Sequence, residues 1–289
     1  MAISAADVKK LRDQTGAGMM DCKAALEEAN GNFEEANTIL RKKGLASAAK
    51  KAGRATSEGL IGNEVSADGS VGVLVEVNCE SDFVARTEDF QNLMKNIIAE
   101  INKAGDAASN AWLSDPNGPV QPLVAAAIGK LGENMAAPRF VRYANQGYVG
   151  QYIHLGGKLG VMVEFSGVTP EVASQDAFQT LVKEVAMQVA AASPSYASRA
   201  EVPADALEKE KAIYRGQMEG SGKPANVIEK IVEGKLGSFY SQVVLVDQPS
   251  IRDPKLSVSD VLAQANKALG ATVAVTRFAR LKVGETAAA

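Results

Sequence analysis

Residues 59–77 read GLIGNEVSADGSVGVLVEV, and residues 147–165 read GYVGQYIHLGGKLGVMVEF. The two stretches align without a gap at an offset of 88 positions. Gly59, Gly62, Gly69, Gly72, Val73, Val75 and Glu76 recur as Gly147, Gly150, Gly157, Gly160, Val161, Val163 and Glu164. Self-similarity at one offset marks an internal repeat. In each copy the apolar residues alternate: Ile61 and Val65, then Val71 to Val77, and later Val149 and Ile153, then Leu159 to Phe165. Period-two alternation predicts strands. Ala67-Asp68-Gly69 and Leu155-Gly156-Gly157 are short glycine-containing turns, so each copy reads as a hairpin. The match resumes where Phe90, Gln91, Leu93 and Lys95 return as Phe178, Gln179, Leu181 and Lys183. There the period becomes helical: Phe90, Leu93, Met94, Ile97 and Ile101, then Phe178, Leu181, Val182, Val185 and Val189. Each unit is therefore a hairpin with a helix on one sheet face. The fold class is α+β with a duplicated core.

Upstream, residues 1–54 read as a three-helix N-terminal domain with a linker. Ser4 caps the first helix with Asp7 as the box partner, and Gly16 and Gly18 break it. The second helix runs from about 19 to 30 and stops at Gly31. Asn32 caps the third with Glu35 three positions on, and Gly44 ends it. Residues 45–58 follow as a helical or flexible linker.

Downstream, residues 55–143 form the first core subdomain. The second comprises 144–193 and 236–280, interrupted by an antiparallel helical hairpin over 194–235. Pro203 suits a helix start, and Leu207, Lys211, Tyr214 and Met218 share a face. Gly220 to Pro224 reverse the chain, and Ile228, Ile231, Val232 and Leu236 line the returning helix. That stripe has to pack on itself, on the core or on a second copy as a dimer contact. Strand chemistry is expected again at Gln242 to Val246 and at Ala271 to Arg280. A helix from Val258 to Leu269, capped by Ser257 or Ser259, lies between them. Residues 281–289 are read as a short tail.

Composition narrows the function. The 289 residues carry a net charge of −3. No run approaches the ~18 apolar residues of a membrane span. The N-terminus has no apolar signal region. Cys22 and Cys79 lie in no CxxC, which suits a reducing cytoplasm. No phosphate-binding glycine loop is present, so no direct nucleotide site is expected. One histidine, His154, and two scattered cysteines cannot build a standard zinc site. No cofactor, metal or catalytic residue is expected, and the chain reads as a protein-binding protein rather than an enzyme. Arg41, Lys42, Lys43, Lys50, Lys51 and Arg54 form a basic stretch, either a solvated helix end or a contact for nucleic acid or an acidic surface.

Two segments stand out. Cys79-Glu80-Ser81-Asp82-Phe83-Val84-Ala85-Arg86 joins the first hairpin to its helix. The repeat breaks there, since the second copy has Ser166-Gly167-Val168-Thr169-Pro170. Ser81 and Phe83 read either as a helix cap and a core residue or as parts of an exposed Asp-Phe wedge. The second segment, Gly16 to Leu26, places Met19 and Met20 at a helix start, as core filler or as adaptable binding side chains.

TGAGMMDCKAALEEANGNFEEA, CESDFVAR and YIHLGGKLGVMVEF, in this order, closely resemble bacterial elongation factor Ts, and the likeness runs from residue 2 to about 284. The resemblance implies a guanine nucleotide exchange factor for elongation factor Tu in translation elongation. It implies a ubiquitin-associated-like N-terminal domain that docks on the partner's GTPase domain through Arg12, Met19 and Met20. It assigns Ser81, Asp82, Phe83 and Val84 to the family's Thr-Asp-Phe-Val segment, with serine for threonine. The phenyl ring would insert near the nucleotide site and disturb the groups that hold Mg2+ and phosphate. Leu131 and Gly132 fall at further core contacts, and His154 would face the partner's third domain. Members with long tails carry an added C-terminal helix, a contact not expected from the GETAAA end.

Overall fold

The computed structural model describes residues 3–144 and 146–285. Three helices open the chain: α1 (Ala5–Thr15), α2 (Met19–Glu28) and α3 (Phe33–Lys51). Ser4 and Asp7 form the reciprocal capping box on α1, and the Asn32 side chain accepts from the N–H groups of Glu34 and Glu35. Val8, Leu11, Cys22, Ala25, Leu26, Ala29 and Ala36 close a small core of their own.

The expected helix end at Gly44 is not where α3 stops. The helix runs on to Lys51 and takes up half of the expected linker. A glycine inside a helix costs ~1 kcal/mol relative to alanine. Here the missing Cβ serves a helix crossing. A Cβ on Gly44 would stand 3.3 Å from the carbonyl oxygen of Ala125, and one on Gly129 would stand 3.4 Å from the Gly44 Cα. Both partners belong to α7 (below), so the two helices meet at their glycines.

The first unit comprises β1 (Glu58–Val65), β2 (Val71–Cys79), α4 (Asp82–Ala85), α5 (Glu88–Ala104), α6 (Asn110–Leu113), α7 (Val120–Leu131) and β3 (Met135–Ala144). The second comprises β4 (Tyr148–His154), β5 (Leu159–Ser166), α8 (Pro170–Ala173) and α9 (Asp176–Ala192). It continues, after α10 (Ala204–Gly216) and α11 (Ala225–Val243), with α12 (Val258–Leu269) and β6 (Ala274–Lys282). Each unit holds a three-stranded antiparallel sheet, ordered β1-β2-β3 and β4-β5-β6. The hairpin registers match: Ile61 faces Glu76 as Val149 faces Glu164.

β2 and β5 are central strands buried on both faces. Val73, Val75 and Val77 pack on α5 and α7 with Phe90, Leu93, Ile97 and Ile101. Val161, Val163 and Phe165 pack likewise on α9 and α12. The opposite faces meet each other. Ile61, Leu74 and Tyr143 of one sheet pack on Val149, Met162, Ala279 and Leu281 of the other.

The repeat is longer than the hairpins suggested. Arg139-Phe140-Val141-Arg142 on β3 recurs as Arg277-Phe278-Ala279-Arg280 on β6, 138 positions on rather than 88. The same 138 relates Val120 to Val258, Leu131 to Leu269 and the left-handed helix-end glycines Gly132 and Gly270. The change of offset is the extra length of the segment between α9 and α12, which carries α10 and α11, over the segment between α5 and α7. The expected break after the first hairpin is also absent from the structure. Ser81 and Thr169 cap α4 and α8 in the same way, each side-chain oxygen accepting at 3.3 Å from the N–H of Val84 or Val172.

Two further expectations fail in detail. Gln242 to Val246 is not a strand. α11 continues to Val243, Val244 makes one bridge with Tyr196, and Leu245–Asp247 forms a 3-10 turn. A short buried apolar run carries no periodicity to separate these outcomes. β6 runs on to Lys282, so the expected tail begins inside a strand; its residues 286–289 lie outside the described residues. The helical hairpin packs on itself. Leu207, Tyr214 and Met218 are half-buried, Val232 and Leu236 are buried, and Arg215 forks onto Glu229.

Candidate partner-binding surfaces

Strand β2 delivers the chain into α4 with a fixed direction. Cys79 is its last residue, fully buried, and its Sγ donates to the Ser81 carbonyl. Ser81 is the N-cap, as one of the two sequence readings expected. On the single turn that follows, Ala85 is buried and Val84 packs on the core. Phe83 then has no inward direction left. It is 80% exposed, the most exposed of the large apolar side chains among the described residues. The reading of Phe83 as a core residue is therefore wrong. Asp82, beside it, is bound by Arg86 at 2.9 Å.

The turn is held from below by the loop that follows α7. Glu133 accepts from Ser81 twice, from the backbone N–H at 2.9 Å and from the hydroxyl at 2.6 Å. Glu80 answers in the opposite direction and accepts from the Asn134 N–H at 2.6 Å. That bond, with Arg54 nearby, holds the Glu80 carboxyl below the usual range. Asn134 in turn donates its side-chain amide to the Arg54 carbonyl. Leu131 is partly buried against the first core, and Gly132 closes α7 in the left-handed conformation at φ 79°. The structure thus brings Ser81 to Val84 together with Leu131 and Gly132.

The other expected residues lie on other elements. Met19 and Met20 begin α2 and are 45% and 76% exposed, so they point outward rather than fill the bundle core. Arg12 is exposed on α1. His154 ends β4, exposed, its Nδ1 at 2.8 Å from the Tyr152 hydroxyl and its ring stacked on the tyrosine at 5.7 Å. It borders a groove of about 370 Å³ with Tyr152, Met187, Ile251 and Arg280.

Sequence reading missed Glu133, Asn134, Tyr152 and Ile251. Glu133 had one signal available, its place next to Gly132. Among the described residues no group of three or more His, Cys, Asp or Glu is placed to hold a metal, and no helix is long and apolar enough to cross a membrane. What the surfaces offer is exposed apolar side chains on rigid supports.

The family described as Elongation factor TS matches residues 80–285. Elongation factor Ts of Trichlorobacter lovleyi is 45% identical over 291 residues, covering 99% of this chain and 94% of that one. The Aquifex aeolicus protein of the same name is also 45% identical, covering 98% and 99%. That of Nostoc punctiforme is 44% identical, covering 98% and 93%. On these matches the chain belongs to the elongation factor Ts family.

Proposed function

We propose that this protein is a guanine nucleotide exchange factor for elongation factor Tu, working in the cytoplasm in translation elongation. The observation that carries the reading is Phe83, 80% exposed on a turn whose N-terminal end is held by hydrogen bonds to Glu133 and Asn134. A large aromatic held out in water on a rigid support has the character of an interface anchor. Family membership supplies the partner.

The mechanism is linkage. The factor favours a partner conformation that holds GDP poorly, and by reciprocity GDP weakens the factor. Phe83 inserts beside the nucleotide site and displaces the groups that hold Mg2+ and phosphate. Ser81, Asp82 and Val84 fix its direction, and Leu131 and Gly132 widen the same contact. Arg12, Met19 and Met20 dock the three-helix domain on the GTPase domain, the methionines adapting to its surface. His154 and its groove take the partner's third domain. The helical hairpin is a candidate dimer contact through Ile213, 53% exposed on its outer side. No bond to substrate is made or broken in this scheme, so no catalytic residue is assigned.

The test is the release rate of fluorescent GDP from elongation factor Tu with catalytic amounts of the protein. Marked acceleration, lost in Phe83→Ala, is expected. Binding without acceleration would reduce the chain to a holder of its partner.

A further inference from the structure

The pseudo-symmetric second unit serves as an internal control for the first. α8 is the counterpart of α4, with the same length, the same kind of cap and the same 3.3 Å capping bond. At the position of Phe83 it carries Glu171. At the position of Glu133, one residue after the helix-ending glycine, it carries Ala271. An alanine offers no carboxylate, yet the second turn is built. The fold therefore does not require the Glu133 clamp to form the turn. Clamp and exposed aromatic occur together in one unit and are absent together from the other.

We propose that Glu133 is a positioning residue for exchange, fixing the direction in which Phe83 is presented. This rests on the proposed role of Phe83. The two bonds from Ser81 end on both oxygens of one carboxylate, so they fix the rotation of the turn as well as its place. Without them α4 keeps its cap and the packing of Val84 and Ala85, but its N-terminal end loses its tie to the α7 loop, and the phenyl ring samples a wider cone of directions. Binding energy is then spent on ordering the turn, and the shortfall appears in the rate of GDP release.

The experiment measures stimulated GDP release from elongation factor Tu by the full chain, separating the maximal rate from the half-saturating concentration. Glu133→Ala should lower the maximal rate by ~10- to 100-fold, the scale of a 1 Å misplacement. Glu133→Gln, which keeps one acceptor, should fall between. Placed on Phe83→Ala, Glu133→Ala should have no further effect, because the clamp acts only through the ring. Amide hydrogen exchange over residues 82–86 should speed up in Glu133→Ala while the α5 amides stay protected. An equal loss in both backgrounds would mean general damage and overturn the proposal. So would an unchanged maximal rate in Glu133→Ala alongside an impaired Phe83→Ala. If Phe83→Ala itself releases GDP normally, the wedge reading fails first and takes the clamp with it.

Discussion

Asn63 donates its side-chain amide to Gln151 at 2.8 Å, and the two residues are the same position of the repeat, 88 apart. A residue that meets its own counterpart lies on a two-fold axis, so the units pack as the subunits of an isologous dimer do. The neighbouring contacts are reciprocal. A Cβ on Gly72 would stand 2.5 Å from Val149, and one on Gly160 would stand 2.5 Å from Ile61, with Ile61 and Val149 again equivalent. At these glycines the two sheets leave no room for a Cβ. Gly72→Ala and Gly160→Ala should therefore each destabilise by about 1–3 kcal/mol, the usual cost of overpacking. Urea unfolding of the two variants checks this. A loss confined to one of them would break the symmetry argument.

The same axis duplicates an ion pair. Arg139 binds Glu76 and Arg277 binds Glu164, each at 2.7 Å from Nε. The glutamates are 3% and 1% exposed, so neither can be left to water. Removing one partner of a buried pair costs about 3–5 kcal/mol, because the other charge stays uncompensated. Glu76 keeps two more donors at 2.9 Å, from Asn78 and the Gly284 N–H, which places Arg139→Met near the low end. Replacing Glu76 with Leu in the same chain should recover part of the loss. If the double variant is no more stable than Arg139→Met, isolated charge is not the cause.

How much of this could be read from residues alone depended on whether a pattern stayed local. The hairpins and the helices α5 and α9 were legible because alternation and the 3.6 period lie within single segments, at one offset, whereas α7 was not read. β3 was not, although Arg139-Phe140 and Arg277-Phe278 repeat, because the inserted helices shift the offset to 138. Gly44 misled because a glycine that serves a helix crossing looks the same as one that ends a helix. At the site, Ser81 was legible as a cap from its spacing to Val84. The exposure of Phe83 was not, since one aromatic on a four-residue turn has no period to show its face. The Glu133 clamp joins residues 52 positions apart, so the only local trace is the place of Glu133 next to Gly132.

Cys79 gives a pH-dependent check on the strand that leads into the Phe83 turn. Burial pushes its thiol up to about 11, with the Glu133 carboxylate adding to the effect. The folded state thus prefers the neutral thiol. Its contribution to stability is complete below the unfolded value of 9.0 and is lost as pH rises toward 11. At pH 8 the native protein should react with a thiol reagent only through opening, and both cysteines should react fast once it is denatured. Rapid labelling of Cys79 in the native state would contradict the burial of β2.

The crossing of α3 and α7 fixes where Met19 and Met20 stand relative to Phe83. At Gly44 the α7 backbone is the neighbour, and backbone cannot move aside as a side chain can. Gly44→Leu should therefore part the three-helix domain from the core, while each keeps its own buried cluster. Two consequences separate this from general unfolding. Proteolysis between Ala52 and Ser57 should speed up, since that stretch would no longer be held between packed elements. In the exchange assay the half-saturating concentration should rise more than the maximal rate falls, because the proposed methionine contact is weakened while the bonds between Ser81 and Glu133 lie outside the crossing. A maximal rate that collapses at unchanged half-saturation would contradict the proposed docking role and place the N-terminal helices in the displacement step.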